Sequence, residues 1–200
     1  VREDDDYENC PADFRPAAYR ISPQRFEEQL DFLRRNEYAS VSLKELLDWS
    51  RRKGSLPEKA LVLTFDDGYL DNHRTALPLL KEYGFQAVFF LSALALGQEG
   101  MMGLAEIADL RAAEMEIGSH GCSHEILAGI SRPFLREELA GSKKLLEKEL
   151  NLPINFYSLP RGYAPPGLSE EARRAGYQGI CTSIPGLNSI KTDPFRWKRM

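Results

Sequence analysis

From residue 60 onward the chain alternates short, almost wholly apolar runs with longer stretches of helical periodicity, and this alternation restricts the fold more than any other feature. The runs at 60–65, 86–91, 115–117, 155–159 and 178–182 have strand length and composition, and a further strand is expected to start at Trp197. Between and before them, apolar spacing predicts helices over 23–36, from Ser42 toward Gly54, and over 71–83, 104–113, 134–150 and 169–175. Ser22-Pro23 suits a helix start, Ser42-Leu43-Lys44-Glu45 has the form of a capping box, and Gly84 suits a helix stop. Strands that are apolar throughout and separated by helices belong in a parallel sheet, open or closed into a barrel. No repeat, low-complexity tract or Pro/Gly-rich linker divides the chain, so residues 1–200 are expected to form one domain.

Composition excludes some functions. A formal net charge of −4 gives no broad basic surface for a phosphate backbone, so no nucleic-acid partner is expected. No apolar run approaches the roughly eighteen residues of a membrane span. Val1 and the acidic stretch Glu3 to Asp6 do not have the layout of a secretory signal, and the start is expected to be processed or trimmed. Cys10, Cys122 and Cys181 leave at least one thiol unpaired and have no close metal-binding spacing.

In parallel α/β folds, reactive groups collect where strands end and loops begin. Asp66 and Asp67 stand at such a point, directly after the apolar run 60–65. Two adjacent carboxylates there repel each other and resist dehydration unless a cation or a shared proton compensates. Alone, Asp66-Asp67-Gly68 also suits a solvated turn. His120 and His124 follow another predicted strand, and their i,i+4 spacing lets two imidazoles face one ion if the segment turns helically. Two histidines and one aspartate would leave coordination positions open, the layout of a catalytic metal site. Cys122, two residues after His120, would point away from both imidazoles.

Thr64-Phe65-Asp66-Asp67-Gly68-Tyr69, followed by Ser119-His120 and His124, resembles the first two motifs of the polysaccharide deacetylase, or NodB-homology, family. Leu56-Pro57, Ala76-Leu77-Pro78-Leu79-Leu80, Ala87-Val88-Phe89-Phe90-Leu91 and Asp193-Pro194-Phe195 resemble family stretches in order and spacing, so the resemblance runs from about Ser22 to the C-terminus. It implies an α/β fold of distorted, incomplete (β/α) barrel type, an N-acetylated glycan substrate, and a divalent metal held by Asp67, His120 and His124. Zinc is the first candidate, and cobalt, nickel, manganese or iron also suit such ligands. Asp66 would be the base that activates water for attack on the amide. The resemblance also points to a periplasmic, cell-surface or secreted protein.

The third family motif usually reads Arg-x-Pro, then an aromatic and Gly, but here the stretch is Ser158-Leu159-Pro160-Arg161-Gly162. Ser158 stands where the base-orienting Arg is expected, leaving Arg161 and Arg199 as alternative cations. The backbone N–H of Arg161 takes the position of the oxyanion donor, a role independent of side chain. Pro160 and Gly162 of this motif, with Tyr69 and Tyr163 beside the motifs, are candidate substrate-lining residues; Tyr157 and Trp197 suit the core better. The family's late general-acid histidine has no counterpart: the acid lies beyond Met200, is replaced, or is absent. His73 reads as part of an exposed helix start with no chemistry. Two alternatives accompany the deacetylase reading: hydrolysis of a small cyclic amide or other non-peptide C–N bond, and a catalytically silent domain that binds metal and glycan.

Overall fold

The computed structural model describes residues 21–123, 127, 129–162 and 164–200. Its main element is a six-stranded, wholly parallel sheet in strictly sequential order, β3 (Leu63–Phe65), β4 (Ala87–Leu91), β5 (Glu116–Ser119), β6 (Phe156–Ser158), β7 (Gly179–Pro185) and β8 (Trp197–Arg199). A separate parallel pair joins β1 (Ala39–Ser40) to β2 (Ala60–Leu61). The helices are α1 (Pro23–Arg35), α2 (Leu43–Ser50), α3 (Leu77–Tyr83), α4 (Leu104–Ala112), α5 (Arg132–Leu150) and α6 (Leu168–Ala175). This is the expected parallel α/β architecture. No helix among the described residues is long and apolar enough to cross a membrane.

Strand β4 shows how the layers divide, since all five of its residues are buried. Phe89 and Leu91 pack with Leu30, Leu80, Ile107, Leu110, Leu135, Leu139 and Ala172, the inner faces of α1, α3, α4, α5 and α6. Val88 and Phe90 point the other way, into a cluster of Leu43, Leu46 and Leu47 of α2 with Phe156, Cys181 and Trp197. A strand buried on both sides needs no polar alternation, which is why its sequence is a continuous apolar run.

The run 60–65 departs from expectation. It breaks at Val62 into β2 and β3, which join different sheets, and its residues are only half-buried. The cause is position: β3 is the first strand of the large sheet and pairs on one side only, with β4. The helix expected at 71–83 opens as a π-helical turn, Asn72–Ala76, before α3, with the Leu77 N–H donating to the Asn72 carbonyl. Pro78 lacks the N–H for a normal i→i−4 bond and its ring crowds that carbonyl, so the preceding turn widens. Helix α2 ends at Ser50, ahead of Gly54, with Arg52 in the left-handed region.

The large sheet curls. β3 and β8 are its two edges, yet Arg199 of β8 places Nη1 2.9 Å from Asp66 Oδ2 and 3.4 Å from Thr64 Oγ1 of β3. A flat six-stranded sheet, with strands roughly 4.8 Å apart, would hold those edges over 20 Å from each other. The incomplete barrel is therefore drawn nearly shut on this side by a guanidinium.

Candidate active site

Asp66 and Asp67 follow β3, Ser92 follows β4, His120 follows β5 and the turn Pro160–Gly162 lies just past β6, so the C-terminal ends of four neighbouring strands contribute to one rim. Local conformation marks two of these positions. Among the described residues, positive-φ non-glycines are Glu37, Arg52, Asp67, Glu114, Asn151 and Arg161. Glu37, Arg52, Glu114 and Asn151 sit at the ends of α1, α2, α4 and α5, where a left-handed residue is usual. Asp67 (φ 74°) and Arg161 (φ 53°) end no helix of that kind and stand on the rim. Each carries on the order of 1–3 kcal/mol of backbone strain that surrounding contacts must offset. At Asp67 those contacts include Gly68, which sits at φ 85° where a Cβ would lie only 3.0 Å from Leu91 Cδ2, and whose carbonyl accepts from the Met102 N–H at 3.0 Å.

The two adjacent carboxylates have different cationic neighbours. Arg199 Nη1 reaches both oxygens of Asp66, at 3.0 and 2.9 Å, while its Nε donates to the Thr182 carbonyl at 2.9 Å. Of the two cations left open by the sequence, the one beside Asp66 is Arg199. Asp67 faces His120, with Oδ1 3.3 Å from Nε2.

His120 is buried, and its backbone N–H extends the β4–β5 ladder by donating to the Leu91 carbonyl at 2.8 Å. Its Nδ1 lies 2.9 Å from the Ser158 carbonyl, which can only accept, so Nδ1 carries a proton and Nε2 is the nitrogen turned to Asp67. Burial alone would lower this imidazole's pKa. The charge of Asp66, followed by the hydrogen bond and charge of Asp67, outweighs burial and the net shift is upward.

These atoms fit a metal. Two donors each roughly 2.0–2.1 Å from a tetrahedral centre stand roughly 3.3–3.4 Å apart, matching the Nε2–Oδ1 separation, and an imidazole pinned through its other nitrogen to a carbonyl is the usual support of a ligating histidine. No group of three His, Cys, Asp or Glu that could hold an ion occurs among the described residues. The expected third ligand, His124, and the candidate Tyr163 lie outside the described residues.

The other predicted residues fall as follows. Tyr69 is 48% exposed, and it bridges antiparallel to Met101 beside the Asp67–Gly68 turn. Pro160 is buried, Arg161 is exposed, and Gly162 is half-buried, its N–H donating to the Leu159 carbonyl at 3.2 Å. Tyr157 and Trp197 are core residues, as expected. Cys122 has its Sγ near Gly141 of α5, and burial pushes its thiol up to about 11, so it is poorly suited to ligation. His73 is not an exposed helix start: it is mostly covered, within the π-helical turn, with Nε2 3.0 Å from Asp109 of α4.

A curled parallel sheet of this order, with a carboxylate pair and a supported imidazole on its C-terminal rim, defines an α/β half-barrel of NodB type. The polysaccharide deacetylase family profile matches residues 53–180, and the chain belongs to that family. YxkH of Bacillus subtilis, whose name places it among polysaccharide deacetylases, is 29% identical over 170 residues, 85% of this chain and 61% of its own length. The poly-β-1,6-N-acetyl-D-glucosamine N-deacetylase of Escherichia coli is 40% identical over 82 residues, 41% of this chain and 12% of that protein. Among solved structures, IcaB from Ammonifex degensii superposes with a TM-score of 0.82 at 29% identity, covering 90% of this chain and 84% of that one. The chain thus spans less than two thirds of the curated relatives it matches.

Proposed function

We propose that this chain hydrolyses the N-acetyl amide of N-acetylglucosamine units in a cell-envelope or extracellular polysaccharide, using a divalent metal, zinc first, held by Asp67, His120 and His124. The observation that carries the reading is the division of the carboxylate pair, with Asp66 gripped by Arg199 and Asp67 turned to His120. When bound, the metal supplies a Lewis acid that polarises the amide carbonyl and makes water easier to deprotonate. Asp66 is the base that takes the proton from the attacking water, with Arg199 fixing the direction of its lone pairs. The hydrogen bond from His120 Nδ1 to Ser158 fixes the tautomer that presents Nε2. The Arg161 backbone N–H is the donor for the developing oxyanion, and Tyr69, Pro160, Gly162 and Tyr163 line the sugar site. The names of the relatives support an N-acetylglucosamine polymer as substrate class.

The missing third-motif Arg at Ser158 would favour a silent domain. Arg199 supports the catalytic reading by providing that cation from another strand. The test is acetate release from N-acetylglucosamine oligomers before chelation, after chelation, and after zinc or cobalt is restored. Release that stops and resumes with metal is expected. Ring opening of cyclic amides without acetate release, or acetate release by metal-free protein at the full rate, would overturn the reading.

A further inference from the structure

We infer that Glu138 of α5 is a positioning residue for the rim: its carboxylate clamps the loop that leaves His120 and thereby sets how tightly the site holds its metal. The inference rests on the proposal that His120 and Asp67 are ligands. Glu138 is 5% exposed, in the middle of a 19-residue helix. A carboxylate so placed is costly unless its oxygens are hydrogen-bonded. The donors come from two consecutive loop residues: the Cys122 N–H at 2.9 Å, the Ser123 N–H at 3.4 Å and the Ser123 hydroxyl at 2.9 Å.

The loop is shaped to that carboxylate. Gly121, the residue between His120 and these donors, has φ 91°, and a Cβ there would lie 3.2 Å from Glu138 Oε2 and 3.2 Å from the Tyr157 hydroxyl. Only glycine combines that conformation with so close an approach. Helix α5 is itself fixed from behind. The Tyr177 hydroxyl donates to the Leu139 carbonyl at 3.2 Å, and Leu135, Leu139 and Leu146 are buried in the core. A core-anchored helix thus holds the backbone that follows His120. Without the clamp, the loop would have to be ordered when metal binds, and affinity would fall by that cost.

The experiment compares wild type with Glu138→Ala, Glu138→Gln and Ser142→Ala. Two readouts are taken well below each protein's melting temperature: the zinc dissociation constant of the apo-protein, and amide hydrogen exchange at Cys122 and Ser123. Ser142→Ala loses buried hydrogen bonds to the Glu138 and Leu139 carbonyls, 2.6 and 3.1 Å away within the same helix, without touching the loop, so it controls for loss of stability alone. Glu138→Ala is expected to speed exchange at both amides and to weaken zinc about 10–100-fold. Glu138→Gln is expected to stay within about 5-fold of wild type, because its amide oxygen still accepts from Cys122 and its NH2 can donate to the Ser123 hydroxyl. Unchanged exchange in Glu138→Ala overturns the clamp. Faster exchange with unchanged zinc affinity, or equal weakening in Ser142→Ala, overturns its link to the metal. If wild type takes up no zinc, the metal reading fails, and with it the affinity role of Glu138, while the exchange data still decide the clamp.

Discussion

Arg199 Nη1 touches both oxygens of Asp66 while Nε is tied to the Thr182 carbonyl, so the guanidinium can hold the carboxylate in one orientation. Arg199→Ala is expected to lower kcat about 10–100-fold with metal content and KM little changed, since the lost interaction orients a base rather than binding substrate. Arg161→Ala, which keeps the backbone N–H, is expected to retain kcat within about 3-fold. Steady-state kinetics on metal-loaded variants separate the two. The sequence leaves both arginines open as the cation for Asp66; only the curl of the sheet shows which reaches the first strand. Glu138 was invisible for a related reason. A glutamate in an amphipathic helix looks solvent-facing until the loop it faces is known, whereas Asp66, Asp67 and His120 stand at strand ends that apolar patterning already marks.

The elements that carry the rim were legible wherever burial on both faces made a strand continuously apolar, as in β4. They were misread where position in the sheet mattered more than composition. The run 60–65 looks as apolar as β4, but nothing local says that it serves two sheets and lies at an edge. The π-helical turn follows from Pro78, a residue visible in the sequence, but its effect appears only once a helix is required on both sides of it. At the start of β5, Glu116 accepts from the Leu43 N–H of α2 at 2.7 Å, and burial pushes its carboxyl up to about 7. A carboxyl whose folded pKa is raised contributes stability that is fully present below its unfolded pKa, near 4.5, and lost as pH rises through about 7. Glu116→Gln removes this titration. A plot of melting temperature against pH for the variant is therefore expected to be flatter than wild type between about pH 5 and 8, whatever the offset from the altered cap. Parallel profiles for the two proteins would show that Glu116 does not titrate there.

At the scale of the molecule, the sequential order β3 to β8 and the Arg199 contact make one object of the sheet's two edges, so the site and the closure of the barrel share a residue. Loss of Arg199 is accordingly expected to cost stability as well as rate, about 2 kcal/mol for hydrogen bonds to a partly buried charge, read by denaturant unfolding. The proposed metal would join elements that are separate in sequence. Zinc at about a hundred times its dissociation constant is expected to add about 2.7 kcal/mol, a rise of roughly 5–10 °C in melting temperature that chelation reverses. The family was readable from two motifs because their chemistry sits in contiguous residues. The arginine that contacts Asp66 was not, because that contact is made across the whole sheet. The proposed division between a metal-facing Asp67 and a catalytic Asp66 is tested most directly by the acetate-release rate of zinc-loaded Asp66→Asn on an N-acetylglucosamine oligomer. A protein that binds one zinc per chain and turns over at least about 100-fold more slowly than wild type is the expected result; a wild-type rate from the same zinc-loaded protein would contradict the account.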